Sequence, residues 1–166
     1  MTDSTVYTEI SRAIPVIIGG LLAVGGGLIG QFVTHRLTAK REQAKARRER
    51  LESLVKALYA HSHWLEDKRN AMIFRNEDHD MPSPLDEACM LQALHFPELC
   101  GEVLAIQEAQ LSLINFIGQQ RIARMKDQSA WLQAWDNEPY LTAYRQYLLA
   151  VGLATKKCRE LLLEQS

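Results

Sequence analysis

His61, His63, Glu66 and Asp67 fall within a single stretch of seven residues. Imidazoles and carboxylates at such short spacing are the side chains that hold zinc or iron. Helical geometry counts against a metal here, because residues i and i+2 lie on different sides of a helix. Ferritin-like sites use Glu-x-x-His on two helices of one bundle, whereas His63-x-x-Glu66 is reversed and occurs once. Surface or interface histidines are the expected outcome. Cys89, His95, Glu98 and Cys100 crowd together over twelve residues, at a spacing that matches no structural zinc pattern. Glu77-Asp-His-Asp80 has the composition of a solvated loop tip rather than an ion site. No metal and no cofactor is expected.

Nucleophilic and phosphate chemistry fare no better. No β-alternation of useful length is present to precede a phosphate-binding loop, and G-x-S-x-G, H-E-x-x-H and kinase signatures are absent. Cys89, Cys100 and Cys158 are an odd set with no C-x-x-C, which points to free thiols in a reducing compartment. The chain is therefore expected not to be an enzyme, with a metal-dependent helical enzyme as the outlying alternative. Trp131, Trp135, Tyr140, Tyr144 and Tyr147 are dense for a chain with 7% aromatics. Packing between helices accounts for most such rings. Trp131 and Trp135, at i and i+4 on a short connection, are the candidates for contact with a protein partner.

The elements that must carry these residues begin with an uncharged stretch. Residues 13–33, AIPVIIGGLLAVGGGLIGQFV, are 21 in number and hold six of the nine glycines. A helix of that length spans ~30 Å, the thickness of a bilayer's hydrocarbon core. Large apolar side chains fall all around it, so it has no polar face to meet water. A signal peptide would start with a basic region and end in a cleavage site; here the leading residues are mildly acidic and the trailing ones strongly basic. The expectation is one transmembrane helix. Gly19, Ala23, Gly26, Gly27 and Gly30 form a small-residue stripe that includes a GxxxG, suited to close contact between spans and hence to a homo-oligomer.

Residues 36–50 hold seven Lys/Arg against two Glu, net +5, in a chain whose overall net charge is −1. By the positive-inside rule this block stays in the cytoplasm, leaving residues 1–12 as a short extracytoplasmic tail. Arg36, Lys40, Arg41, Lys45, Arg47, Arg48 and Arg50 are expected to meet anionic headgroups of a bilayer; nucleic acid is an unlikely partner for a chain otherwise acidic. The composition suggests a bacterial inner (cytoplasmic) membrane.

Beyond the span, residues 34–50 are expected as a basic juxtamembrane helix and residues 51–166 as a cytoplasmic helical bundle. Leu37, Ala44, Leu51, Leu58, Leu65 and Met72 recur every seven residues, with Leu54, Val55 and Ile73 broadening the stripe from Leu51 onward, predicting one long helix to about Arg75. A coiled-coil neck is compatible with this, although apolar positions before Leu51 are sparse. Residues 76–83 are a loop, and Ser83-Pro84 is a helix start: Ser as N-cap, Pro at the first helical position. A short helix to about His95 follows, and Pro97 begins another to about Met125. There Leu99, Val103, Ile106, Leu113 and Ile117 make one apolar face and Leu104, Leu111 and Ile114 a second, predicting a central helix. A helical turn at Trp131–Trp135 leads to a last helix, capped by Asp136 or Asn137, with Leu141, Tyr144, Leu148, Val151, Thr155, Cys158 and Leu162 as its packing seam.

The fold class expected is all-α: a single N-terminal transmembrane helix continuing into an antiparallel bundle. The functional expectation is a membrane-anchored, non-enzymatic interaction or scaffold protein that self-associates through its span and binds a cytoplasmic protein partner. The rival expectation is a membrane-disrupting effector, of phage-defence or toxin type, that oligomerises through the same glycines.

Overall fold

A computed structural model describes the backbone of residues 3–164 and the side chains of residues 34–164. The chain is all-helical, with no strand among the described residues. It comprises α1 (Asp3–Arg69), a π-helical turn (Asn70–Arg75), α2 (Pro84–His95), a 3-10 turn (Pro97–Leu99), α3 (Cys100–Lys126), α4 (Gln128–Gln133) and α5 (Glu138–Leu163). It divides into two compact units, Met1–Lys45 and Ala46–Ser166. In the first, the described side chains are nearly all exposed, those of Arg36, Lys40, Arg41 and Lys45 among them. Among the described residues no helix is long and apolar enough to cross a membrane. The expected span at 13–33, with Gly19, Ala23, Gly26, Gly27 and Gly30, lies outside the described side chains.

The second unit is a helical bundle around one main core. Leu51, Leu54, Leu58 and Leu65 of α1 pack with Leu99, Ile106 and Leu113 and with Tyr147, Val151 and Leu161 of α5. Full burial of each such aliphatic side chain is worth about 1.5–3 kcal/mol, which is why the i, i+3, i+4, i+7 leucines of α1 set its inward face. Helix ends follow local chemistry. Ser83 Oγ accepts from the Leu85 amide at 3.3 Å, with Pro84 starting α2. Asp127 Oδ1 accepts from the Ala130 amide at 3.0 Å at the start of α4. Asp136 Oδ1 accepts from the Glu138 amide at 2.9 Å at the start of α5, while Asn137 makes no capping bond.

Three expectations need correction. The first concerns the end of the long helix, where the last turn widens to π geometry. A π-turn holds an extra residue; Ile73 is buried as its place on the stripe implies, but Met72 of the seven-residue row is only half-buried and Phe74 turns outward. Asn76 then adopts the left-handed conformation at φ 58°, one that Asn tolerates, and the Glu77 amide closes back on the Ala71 carbonyl at 2.9 Å. The second concerns α3. Leu99, Val103, Ile106, Leu113 and Ile117 are buried as one face, and α3 does touch α2, α4, α5 and both short turns as a central helix would; of the second expected face, however, Ile114 is half-buried while Leu104 and Leu111 are more than half exposed, so that side stays largely open to solvent. The third concerns α5. Its buried seam is Tyr140, Ala143, Tyr147, Val151, Ala154, Cys158 and Leu161. Only Val151 and Cys158 belong to the expected seam; Leu141 and Leu148 are exposed. Alanines let α5 approach closely, and the tyrosines can go inside because their hydroxyls find partners there.

Candidate functional site

Of the four residues with metal-ligating side chains at 61–67, His61 and Glu66 lie in a polar seam inside the bundle, His61 in the interior and not at the surface, while His63 and Asp67 are exposed. His61 and Tyr147 are fully buried and Ser62 nearly so. His61 Nδ1 lies 2.8 Å from Tyr147 Oη, and Ser62 Oγ lies 3.3 Å from the same oxygen. Ser62 Oγ also donates to the Leu58 carbonyl at 3.3 Å. One direction satisfies all these atoms: Nδ1–H donates to the phenol, the phenol to the serine, and the serine to the backbone. Nε2 makes no hydrogen bond of good geometry. Burial pulls the His61 imidazole down to about 4, against weaker opposing pulls from Gln110 and the Asp86 carboxylate. Burial likewise pushes Tyr147 up to about 12. One turn along, Tyr140 donates to Glu66 Oε1 at 2.9 Å, and the Arg69 guanidinium lies 4.1 Å from the Tyr140 ring centre while its Nη2 donates to Asn137 Oδ1 at 2.6 Å. Burial and the Glu66 hydrogen bond both push the Tyr140 phenol well up. Neutral histidine, neutral tyrosines and a tied-up carboxylate make a sealed strut between α1 and α5. Among the described residues no group of three His, Cys, Asp or Glu side chains is placed to hold a metal ion.

Two of the three thiols are withdrawn by burial, while Cys100 is exposed. Burial pushes Cys158 up to about 11 and raises Cys89, so both stay thiols at neutral pH; Cys89 Sγ accepts from Gln107 Nε2 at 3.2 Å.

The open chemistry lies at the other end of α3. The π-turn pushes Phe74 out to 43% exposure, where its ring meets Trp135 edge-on at 5.4 Å. Trp135 also meets Trp131 at 5.0 Å and Phe116 at 6.2 Å. Trp131 is 8% exposed and donates Nε1–H to Gln120 Oε1 at 2.8 Å. Arg124 donates to the Ile73 carbonyl in the π-turn and carries its guanidinium 5.6 Å from the Trp131 ring centre. Leu132, 61% exposed, completes the rim. Together Phe74, Arg124, Gln128, Trp131, Leu132 and Trp135 line an open depression of 290 Å³. Adjoining it, Asn76, Arg124, Met125 and Gln128 line a second of 380 Å³. Small-molecule pockets run from ~300 to 1,000 Å³ and bury most of their ligand; open hollows at the lower end of that range suit a side chain of a docked protein.

Trp131 and Trp135, expected as partner contacts, thus meet at one place with different duties. Trp131 is the floor, held by Gln120, and Trp135 is the half-open wall. Phe74, Arg124 and Leu132 were not anticipated. A phenylalanine just ahead of the polar loop at 76–83, in a chain poor in aromatics, was the available signal for Phe74. Of the seven basic residues expected at the membrane surface, Arg47 is half-buried: its Nη2 meets Glu98 Oε1 at 2.6 Å, and its guanidinium lies 5.5 Å from the Phe96 ring centre. The other six are exposed, and Arg48 pairs with Glu52 at 3.0 Å.

A larger groove of 630 Å³ runs between α3 and α5 over Leu149 and Leu153, with Lys156, Lys157, Glu102 and Glu160 along it. It has aliphatic cover and both signs of charge, without an aromatic anchor. Comparison with known proteins matches no family model, no curated protein and no solved structure.

Proposed function

We propose that this chain is a membrane-anchored, non-enzymatic interaction protein whose bundle docks a protein partner at the Phe74–Trp135 end. The observation that carries the reading is the half-open aromatic depression of Phe74, Trp131, Leu132 and Trp135 with Arg124 at its edge. Buried Trp and Arg residues beside open apolar surface are the composition of interface hot spots. The anchor belongs to the same proposal. Residues 13–33 would cross a bacterial inner membrane once, N-terminus out, because the uncharged stretch is long enough to span and the net +5 block follows it directly. Gly19, Ala23, Gly26, Gly27 and Gly30 would bring spans together, and the exposed basic residues of 36–50 would lie against anionic headgroups.

Photocrosslinking tests both halves in native membranes. A photoreactive residue at Leu132 is expected to trap a discrete heterologous adduct, and Trp135→Ala to abolish it. Gly26→Ile with Gly30→Ile is expected to abolish crosslinks between spans. No adduct from Leu132 would remove the docking surface; unchanged span crosslinks would remove the glycine role.

A further inference from the structure

The two adjoining depressions differ in chemistry and share two residues. One is walled by Phe74, Trp131, Leu132 and Trp135; the other by Asn76 and Met125; Arg124 and Gln128 line both. Among the described residues, the only charge lining either hollow is the Arg124 guanidinium. Four carboxylates close by in the sequence make other contacts. Asp127 caps α4, Asp136 caps α5, Asp78 pairs with Arg121 at 2.8 Å, and Glu77 pairs with Arg75 at 3.1 Å. The bond to the Ile73 carbonyl fixes the Arg124 side chain where the hollows meet and uses one of five guanidinium donors. Gln128 adds an amide beside it.

Building on the docking reading above, we propose that the occupant is an acidic–apolar segment of another protein: a large apolar or aromatic side chain seated against Trp135 and Phe74, with an adjacent Asp or Glu carboxylate on Arg124. The aromatic hollow supplies the desolvated anchor site. Arg124 supplies the paired donors that a carboxylate accepts in parallel. A basic segment would bring its charge against the one fixed cation and find no carboxylate in either hollow.

Selection from a random peptide library on the full-length chain in zwitterionic nanodiscs tests this, with the Trp135→Ala chain as the subtractive control. Peptides retained by the wild type and lost on Trp135→Ala are expected to be enriched severalfold in Asp or Glu beside Leu, Phe or Trp. Gln128→Glu, which puts a negative charge into the shared wall, is expected to weaken the best of them by about tenfold, the size of one charge-assisted contact, with unfolding unchanged. Enrichment in Lys or Arg, or no charge preference, would overturn the acidic occupant and leave the docking surface standing. No peptide that separates wild type from Trp135→Ala would overturn both. Dimerisation of the wild type that Trp135→Ala abolishes, with no peptide retained, would show a second copy as the occupant and also overturn the proposal.

Discussion

The α1–α5 seam and the aromatic end of α3 both combine rings with a few polar groups, yet one is closed and the other open. In the seam, His61, Ser62, Tyr147, Tyr140 and Glu66 pair with one another and leave little for a ligand. At the aromatic end, Trp131 has its partner in Gln120, but Phe74, Leu132 and Trp135 keep apolar surface toward solvent. Polar residue type alone therefore does not mark a site in this molecule. What marks it is how far the neighbours have already met the group's hydrogen-bonding and burial needs, since a buried network satisfied at all but His61 Nε2 serves specificity and stability, whereas a half-covered aromatic cluster gains by covering the rest.

If that contrast holds, the seam yields the largest stability effects. Tyr147→Ala removes a fully buried ring and the partner of His61 Nδ1; a loss of about 3–5 kcal/mol is expected, read from urea unfolding of the full chain. Tyr147→Phe keeps the ring and removes only the hydroxyl. It leaves Nδ1 of a buried imidazole unpaired, for an expected loss of about 1–3 kcal/mol.

Acid sharpens the same distinction. His61 falls from its ordinary 6.5 to about 4 on folding, so between those values the unfolded chain holds more protons than the folded one. Its contribution to stability is complete above pH 6.5 and is lost as pH falls toward 4. Urea midpoints measured across that window are expected to fall for the wild type and to fall less for His61→Leu; parallel curves would show that the seam does not hold a neutral histidine. At the aromatic end the effects on folding are smaller. Trp135→Ala forfeits edge-on contacts with Trp131, Phe74 and Phe116, about 1–2 kcal/mol. Leu132→Ser, at a position 61% exposed, is expected within about 0.5 kcal/mol of wild type, while removing part of the docking rim.

The bundle was legible where one physical signal acted alone. The buried face of α3 followed from apolar spacing, and the starts of α2 and α5 followed from Ser83-Pro84 and from Asp136 ahead of Pro139. The seam of α5 was misplaced because two signals competed. Leu141 and Leu148 outrank Tyr140 and Ala143 in hydrophobicity, but the inward row is chosen by fit. Ala143 and Ala154 admit close approach, and Glu66 and His61, distant in sequence, supply the partners that let tyrosines go inside. No local pattern records a partner on another helix. The aromatic end was half legible for a related reason. Trp131 and Trp135 stand out by type, whereas Phe74 reaches them only because the π-turn adds a residue and breaks the 3.6-residue period. Arg124 joins through a bond to a backbone carbonyl of that turn, which residue spacing does not encode. The proposed anchor at 13–33 is argued from the sequence: lack of charge, length and flanking basic residues.

The most direct test sets the two regions against each other in one assay. Crosslinking yield from a photoreactive residue at Leu132 is compared in native membranes between Tyr147→Phe and Trp135→Ala, each normalised to its folded fraction. The expected result is a wild-type yield for Tyr147→Phe and loss of the adduct for Trp135→Ala. A normalised yield that falls as far in Tyr147→Phe, or survives in Trp135→Ala, would contradict the division into a sealed strut and an open docking surface.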